Sequence, residues 1–465
     1  MSESLEYDFV VIGTGPGGEG AAMKAAKAGK RVAAIEQFTR VGGACINWGT
    51  IPSKALRRAI YHMDLISQSP VYKRLDVAPD FSLPEMLQNT AEIVDMQAEM
   101  RQNFYDRNDV ALIPGRARFV DAHTIHVENG DGGKKVIKAA AFVIATGARP
   151  YRPKDLDFNH PRIRDSNTIL TMDYTPKTVA VYGAGVIGCE YASMLRVMRC
   201  KLTLINTKDR LLDFLDEEIT DALSYHFADK GIRIMHQEEY EKIEAHNDYV
   251  AIHLKSGKQV KADVLVWTAG RMGNSDDMGL ETVGVVTDKR GNIQVNRNFQ
   301  TAQPHIYAVG DIVGPPGLAS ASYDQGRFVA THYVDPTTDR KLIEDIPAGI
   351  YTLPEISCLG KTEAQLTAEK VPYEVAKAKF NTLARAQITG QKVGMLKMLF
   401  HRETLALLAI HCFGENAAEI IHIGQAIMSQ PPPNNTIEYF VSTTFNYPTM
   451  AEAYRVAALD GMERL

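Results

Sequence analysis

Three glycines near the start of the chain have the spacing of a dinucleotide-binding turn. Gly13, Gly15 and Gly18 follow the apolar run 9–12 in the pattern Gly-x-Gly-x-x-Gly, and an alanine-rich segment comes next. The first glycine permits a tight turn, the second lets the backbone approach a pyrophosphate, and the third lets a helix pack closely on a strand. Glu36 ends the next apolar run, where a carboxylate can accept hydrogen bonds from ribose hydroxyls. This segment is therefore predicted to bind a dinucleotide at the N-terminus of a helix.

The same pattern occurs a second time in the middle of the chain. Gly183, Gly185 and Gly188 repeat the spacing after the apolar run 178–182. Two dinucleotide-binding folds in one chain indicate two bound redox carriers and electron transfer between them. The alternative is a duplicated fold in which one of the two sites no longer binds a nucleotide.

The second copy differs from the first at the position that selects between NAD and NADP. Asn206 occupies the position that matches Glu36, and Lys208 and Arg210 lie just beyond it. A carboxylate at this position favours NAD, whereas nearby basic residues accommodate the 2′-phosphate of NADP. Because asparagine does neither strongly, we expect the site to accept both nucleotides. The alternative for Lys208 and Arg210 is an ordinary solvated loop.

The order of apolar runs predicts how the two sites are positioned. The run 140–153 indicates a buried strand followed by a turn with glycine and proline, and the run 262–274 lies at the same point of the second fold. The run 301–314 is expected to return to the first fold and to place Asp311 at the carboxyl end of a strand, where ligands bind in open α/β sheets. The second fold is therefore predicted to be inserted into the first. The predicted boundaries are 1–155 and 278–345 for the first fold, 156–277 for the second, and 346–465 for a third domain with a packing or association role.

The composition excludes several classes of protein. The 465 residues are 45% hydrophobic and 23% charged, as is typical of a globular chain with several cores. No apolar run approaches the roughly 18 residues that cross a bilayer, so we do not expect an integral membrane protein. A net charge of −5 with mixed signs and no basic stripe argues against a nucleic-acid partner. Five cysteines without metal-ligand spacing, and a start without a basic leader, predict a reducing cytoplasmic location and no metal site.

Seven segments of the chain occur in an order that is found in one enzyme family. They are GTGPGG (13–18), VGGACINWGTIPSKAL (41–56), ATGARP (145–150), GAGVIGCEYAS (183–193), TAGRMGN (268–274), IYAVGDIVG (306–314) and FNYPTMAEAYRVAAL (445–459). In this order they resemble the flavoprotein disulfide reductases, a family that includes lipoamide dehydrogenase and glutathione reductase. The resemblance implies an α/β fold with two Rossmann-like dinucleotide-binding domains, one for FAD and one for NAD(P). It also implies a C-terminal α+β interface domain through which two subunits complete each site.

The resemblance further implies roles for individual residues. Lys54 is expected to pair with Glu190 near the flavin N5 and to stabilise negative charge on the flavin, and the alternative is an ordinary helix-surface lysine. The residues expected to bind FAD are Gly13, Gly15, Gly18, Glu36, Gln37, Val41, Gly42, Gly43, Cys45, Lys54, Thr146, Gly147 and Asp311. The residues expected to bind NAD(P) are Gly183, Gly185, Gly188, Asn206, Lys208, Arg210 and Gly270.

Two departures from the family pattern concern the thiol chemistry. Disulfide reductases have two cysteines separated by four residues, but here Cys45 is followed by Thr50 at the second position. A lone thiol cannot form the intramolecular disulfide that accepts two electrons from the flavin. The family also has a histidine in a His-Pro-x-x-x-Glu motif, and here Tyr447 replaces it in the segment that ends at Glu452. Tyrosine, with a pKa near 10, does not move protons readily at neutral pH.

The remaining chemistry is hydride exchange between two nicotinamides. We expect NADPH to give a hydride to FAD, bound non-covalently with one FAD per subunit, and NAD⁺ to remove it in a second half-reaction. Cys45 is then an inert, packed thiol, and Tyr447 and Glu452 of one subunit would approach the flavin pocket of another in a homodimer or larger assembly. The alternatives are a disulfide reductase like lipoamide dehydrogenase and a flavin reductase that passes electrons to a quinone or oxygen. The alternative that is not an enzyme is a protein that binds nucleotides without turning them over.

Overall fold

The structure is a computed structural model that describes residues 4–74, 81–339 and 341–465. Its strands are β1 (Ser4–Ile12), β2 (Val32–Glu36), β3 (Ala111–Pro114), β4 (Arg116–Asp121), β5 (Thr124–Glu128), β6 (Lys134–Ile144), β7 (Ala148–Pro150), β8 (Ile163–Asp165), β9 (Thr178–Tyr182), β10 (Lys201–Ile205), β11 (Arg233–Met235), β12 (Tyr240–Ala245), β13 (Val250–Leu254), β14 (Gln259–Ala262), β15 (Val264–Trp267), β16 (Arg271–Gly273), β17 (Ile306–Ala308), β18 (Ala348–Ile350), β19 (Ile356–Gly360), β20 (Tyr373–Lys379), β21 (Gly394–His401) and β22 (Leu407–Gly414). Its helices are α1 (Pro16–Lys27), α2 (Gly43–Asn47), α3 (Thr50–Gln68), α4 (Pro70–Arg74), α5 (Leu83–Arg107), α6 (Val186–Val197), α7 (Glu217–Asp229), α8 (Ala319–Val334), α9 (Glu363–Ala368), α10 (Ala384–Thr389), α11 (Ala417–Met428), α12 (Glu438–Ser442) and α13 (Glu452–Met462). Short 3-10 turns lie at Thr168–Thr171, Leu280–Val283, Gly310–Val313 and Phe380–Thr382.

The first sheet has seven strands with a parallel centre. Its order is β3-β2-β1-β6-β5-β4, with β17 beside β6. Strand β1 pairs in parallel with β2 and β6, and β17 pairs in parallel with β6. Phe9, Val10 and Val11 are fully buried, because a central parallel strand is covered on both faces and needs a continuous apolar run. Since β17 comes after all the strands of the second sheet, the chain leaves the first sheet and later returns to it.

The second sheet repeats the parallel arrangement with five strands in the order β11-β10-β9-β15-β8. All four of its strand pairs are parallel. A three-stranded antiparallel sheet, β12-β13-β14, packs against it through a cluster that includes Tyr182, Ile252 and Trp267. The turn from β9 to α6 therefore lies at the carboxyl edge of a central strand, as the turn from β1 to α1 does in the first sheet.

The C-terminal sheet is antiparallel, with five strands in the order β18-β19-β22-β21-β20. Helices α11 and α13 pack on it around a core that includes Phe380, Phe400 and Tyr454, all of them fully buried. An α/β arrangement of two parallel sheets with an α+β C-terminal domain is the predicted fold class, which is thus confirmed.

The third glycine of each motif is required by packing within the protein. A Cβ atom on Gly18 would lie 1.9 Å from the carbonyl oxygen of Gly13, and one on Gly188 would lie 1.8 Å from that of Gly183. In both cases the glycine lets the first turn of the helix lie against the strand that precedes it, so the sequence pattern and the packing agree.

We predict that Gly188→Ala lowers the thermal unfolding midpoint, because an added methyl group has no space and overpacking costs about 1–3 kcal/mol or more. Alanine otherwise favours a helix over glycine by up to about 1 kcal/mol, so the sign of the change is diagnostic. The matched control is Gly185→Ala, where no atom lies within 4 Å of the added Cβ. An unchanged midpoint for Gly188→Ala would contradict the packing of α6 on β9.

Candidate functional site

A cleft of about 1960 Å³ lies between the two nucleotide-binding folds and the C-terminal sheet. Since ligand pockets usually measure about 300–1,000 Å³, the cleft has room for more than one bound group. The predicted FAD-binding residues that line it are Gly13, Gly15, Glu36, Gln37, Gly43, Cys45, Lys54, Thr146, Gly147 and Asp311. Gly18, Val41 and Gly42 are buried and are not among its lining residues. Glu190 reaches the same cleft from the second fold.

The carboxylate of Glu36 is held at one end of the cleft by three donors. Its Oε2 accepts hydrogen bonds from the backbone N–H of Thr14, at 3.1 Å, and from the Thr14 hydroxyl, while Oε1 accepts from the N–H of Phe38 at 3.1 Å. The Thr14 hydroxyl in turn accepts from the N–H of Gly42 at 3.0 Å. These bonds orient a nearly buried carboxylate toward the position where a ribose would bind.

The N-termini of α1 and α6 have no side-chain cap. Gly15 and Gly185 are their N-cap residues, whereas α5 and α9 begin with capping boxes whose side chains bond to backbone N–H groups. A Cβ on Gly15 would meet only the Cα of Gly43, at 3.8 Å, and one on Gly185 no atom within 4 Å. The packing of the described residues therefore does not require glycine at either position. A phosphate bound at the first turn of each helix would require glycine there, because a side chain would prevent its close approach to the backbone. Both turns therefore fit the pyrophosphate of a dinucleotide.

An ion pair joins the two folds deeper in the cleft. The Lys54 ammonium on α3 lies 2.7 Å from Oε2 of Glu190 on α6, with side-chain exposures of 26% and 6%. Such a pair in a cleft places a fixed cation where negative charge can develop on a bound ring system. This is the pair that the resemblance implies. Lys54 is therefore not an ordinary lysine on a helix surface, which was the alternative.

Tyr351 completes this pair from the C-terminal domain, and the sequence reasoning did not find it. Its backbone N–H donates to Oε1 of Glu190 at 2.8 Å, and its ring centre lies 4.8 Å from the Lys54 ammonium. Tyr351 directly follows β18, an edge strand that carries no nucleotide signature. No local signal marks it, because its role depends on contacts with residues far away in the sequence.

The Cys45 thiol lies in the cleft without a second thiol beside it. Thr50 occupies the position of the missing cysteine, and its side chain lies beside this thiol. Burial raises the pKa of Cys45, and the polar side chain of Thr50 and the charge of Arg101 oppose this only in part. The thiol is therefore protonated at neutral pH, whereas a reactive cysteine requires a lowered pKa.

Asp311 lies in the 3-10 turn Gly310–Val313 that follows β17, near the carboxyl edge of the first sheet. Its Oδ2 is 3.4 Å from the Arg271 guanidinium, which also donates to the carbonyl of Ala148 at 2.8 Å. Close by, the Thr146 hydroxyl donates to the carbonyl of Asn274 at 2.8 Å. These contacts tie the start of β16 to the floor of the cleft and leave Asp311 about one-third exposed toward a ligand.

Asn206 organises its own loop at the edge of the second sheet. Its side-chain amide donates to the carbonyl of Arg210 at 2.8 Å and lies 3.1 Å from Nδ1 of His236. Its Oδ1 accepts from the N–H of Lys208 at 3.2 Å, and the residue is 4% exposed. The side chain of Asn206 is therefore used mainly to hold the loop in its conformation. The second lone pair of Oδ1 remains free to accept a hydrogen bond from a ribose hydroxyl.

The two basic residues of this loop are already paired with acids. Lys208 forms an ion pair with Asp213, and Arg210 lies 2.8 Å from Oε1 of Glu217. A 2′-phosphate would have to displace these carboxylates or share the cations with them. Such exposed pairs are weak, so the competition is modest.

Gly270 lies apart from this loop, between β15 and β16, where a φ of 101° suits glycine.

Tyr447 and Glu452 do not line the cleft of their own chain. The Tyr447 side chain is 67% exposed, and Glu452 begins α13 with one buried carboxylate oxygen that has no hydrogen-bond partner among the described residues. The structure of one chain therefore does not bring these two residues together with Lys54 and Glu190.

Two family models match the chain. The model described as pyridine nucleotide-disulphide oxidoreductase matches residues 7–326, and the dimerisation domain of the same family matches residues 346–458. Relatives named soluble pyridine nucleotide transhydrogenase, from Escherichia coli O81 (strain ED1a) and Shigella flexneri, are 58% identical over 465 residues, which is 100% of both chains.

Solved structures of similar proteins share the fold. The HOCl-induced flavoprotein disulfide reductase RclA from Escherichia coli is 25% identical, with a TM-score of 0.88 over 97% of this chain and 99% of that chain. LpdA from Mycobacterium tuberculosis is 24% identical with a TM-score of 0.89 at the same coverage, and this likeness concerns the fold alone. Within the described residues, none of the helices has the length and apolar character needed to span a bilayer.

We predict that Glu217→Gln lowers the KM for NADPH about two- to fivefold and leaves the KM for NAD⁺ unchanged. The substitution frees Arg210 from an exposed carboxylate, and such a pair is worth up to about 1 kcal/mol. The control is Glu239→Gln, which breaks the exposed Lys255–Glu239 pair of the same fold. Equal changes in the two KM values would show that Arg210 does not face the 2′ position.

Proposed function

The chain belongs to the pyridine nucleotide-disulphide oxidoreductase family, and from this membership we propose that it transfers a hydride from NADPH through a bound FAD to NAD⁺. Full-length relatives at 58% identity are named for this transhydrogenation. The observation that carries the proposal is the lone Cys45 thiol, with threonine at position 50, in a cleft that is lined by predicted FAD-binding residues and by Glu190.

FAD supplies the chemistry of hydride acceptance and hydride donation when it is bound. The protein supplies position and electrostatics. Glu36 would bind the adenosine ribose, the uncapped start of α1 the pyrophosphate, and Asp311 the ribitol chain. Lys54, oriented by Glu190 and Tyr351, would place its ammonium beside N5 and stabilise negative charge there.

The nicotinamide site follows from the position of α6. Val186, Ile187 and Glu190 line the cleft together with Lys54, and the N-terminus of the same helix, at Gly185, has no side-chain cap and would bind the pyrophosphate of the second nucleotide. A nicotinamide nucleotide bound there would extend from the loop at Asn206 to the Lys54–Glu190 pair. NADPH and NAD⁺ would use this one site in turn, which gives ping-pong kinetics. Because the two nicotinamide couples have nearly equal potentials, cellular nucleotide ratios set the direction.

The protein is proposed to form a homodimer or a larger assembly. The match to the family's dimerisation domain supports self-association through residues 346–458. In such a dimer the exposed Tyr447 and the unpaired carboxylate oxygen of Glu452 would lie near the partner's flavin pocket. We further propose that the domains divide after residues 155, 277 and 345 and that the protein is cytoplasmic.

The direct test is NADPH-dependent reduction of thio-NAD by the purified holoenzyme, measured beside lipoamide, quinone and oxygen reduction. We expect thio-NAD to be the fastest acceptor and lipoamide reduction to be negligible, because no dithiol can form. The Cys45→Ser variant should keep most of its activity, since the hydride does not pass through sulfur. Rapid lipoamide reduction, or loss of thio-NAD reduction in Cys45→Ser with FAD still bound, would contradict the proposal.

A further inference from the structure

A buried lysine joins the C-terminal domain to the second nucleotide-binding fold at the start of α7. Lys397 on β21 has 1% of its side chain exposed. Its ammonium lies 2.7 Å from Oδ1 of Asp216 and 3.1 Å from Oε2 of Glu218, and it also bonds to Glu363. Asp216 and Glu218 belong to the start of α7, so the lysine links two domains through charged groups.

The register of the C-terminal sheet explains why a cation lies at this position. Lys397 pairs with Lys377 on β20 and with His411 on β22, so three basic side chains form a row across one face. Lys377 also contacts Glu218, at 2.7 Å. The row faces the acidic start of α7, and the opposite charges fix the orientation of that helix on the sheet.

The lysine remains charged in this environment. Burial by itself would lower the pKa of Lys397, but bonds to Asp216 and Glu363 outweigh it and the pKa is raised. The pKa of Asp216 is lowered: burial opposes ionisation, but the bond to Lys397, the nearby positive charges and the bond from the N–H of Glu363 together outweigh it. Three carboxylates this close could also hold a metal ion. We assign none, because the ammonium bonds to all three and already supplies the cation.

Asp216 is the point at which this cluster acts on the nucleotide site. It is the N-cap of α7 and accepts from the N–H of Glu218 at 3.3 Å and from the N–H of Glu363 at 3.2 Å. The loop that ends at Asp216 begins at Asn206, whose side-chain amide donates to the carbonyl of Arg210. The helix start that Lys397 fixes is therefore also the end of the loop 206–216.

We propose that Lys397 is a positioning residue for NADP recognition. By fixing Asp216 and the start of α7, it sets the conformation of the loop that presents Lys208 and Arg210 to a 2′-phosphate. The inference rests on the proposed function only in assigning this loop to the adenosine end of NADP. Lys397 pairs with Asp216, Glu218 and Glu363, whereas Lys54 pairs with Glu190. Loss of Lys397 should therefore change nucleotide discrimination and leave the hydride-transfer step intact.

The test compares Lys397→Met with wild type as FAD-loaded holoenzyme. We expect the KM for NADPH to rise about fivefold or more, with the KM for NAD⁺ and kcat each within about twofold. The matched control is Lys361→Met, which breaks the exposed Lys361–Glu369 pair of the same domain and should change none of the three. Equal changes in both KM values, or no change in either, would overturn the proposal.

A second variant keeps the test decisive if Lys397→Met does not fold. Lys397→Met combined with Asp216→Asn removes the unpaired buried charge, and asparagine is as good an N-cap as aspartate. It should show the same selective rise in the KM for NADPH. A normal KM for NADPH in this double variant would overturn the proposal.

Binding of nucleotide fragments separates failure of this inference from failure of the proposed function. Calorimetry with 2′,5′-ADP and 5′-AMP measures 2′-phosphate recognition without any turnover. Weaker binding of 2′,5′-ADP to the Lys397 variant, with 5′-AMP binding unchanged, would support the positioning role even if the wild type showed no transhydrogenation. Unchanged binding of both fragments would refute the positioning role even if transhydrogenation is established.

Discussion

The ion pair between Lys54 and Glu190 is the interaction on which the geometry of the cleft depends. It lies where α3 of the first fold meets α6 of the second, and the backbone of Tyr351 adds the third domain. With 6% of its side chain exposed, Glu190 would be an uncompensated buried charge without the lysine. The pair therefore links the two folds at the cleft and places the ammonium of Lys54 inside it.

The absence of the second cysteine removes the disulfide that would carry electrons away from the flavin, while the fold of the family is kept. Cys45 lies in α2 and Thr50 begins α3, so the two positions stay on neighbouring helices of the first fold without a covalent link. Burial keeps the thiol protonated. What remains is a positioned flavin site with nicotinamide access, and this suits an enzyme whose two substrates both exchange a hydride with the same ring.

The sequence predicts those features that depend on local backbone chemistry. The glycines at 13, 18, 183 and 188 follow from steric limits within one strand–turn–helix unit, so their pattern identifies both folds. Tyr351 and Lys397 act through residues far away in the chain, and no periodicity or motif marks them. Asn206 is intermediate: the motif gives its position, but its bonds to His236 and Arg210 depend on how β11 and the loop pack.

A stepwise anaerobic titration of the holoenzyme with NADPH tests the central claim, that the hydride passes through the flavin with no dithiol. We predict that the flavin band at about 450 nm is lost after about one equivalent of NADPH per FAD, because the described residues of the cleft include no disulfide that could take electrons from the flavin. A long-wavelength thiolate-to-flavin band after the first equivalent, with bleaching delayed to about the second, would reveal an electron-accepting disulfide and contradict the account.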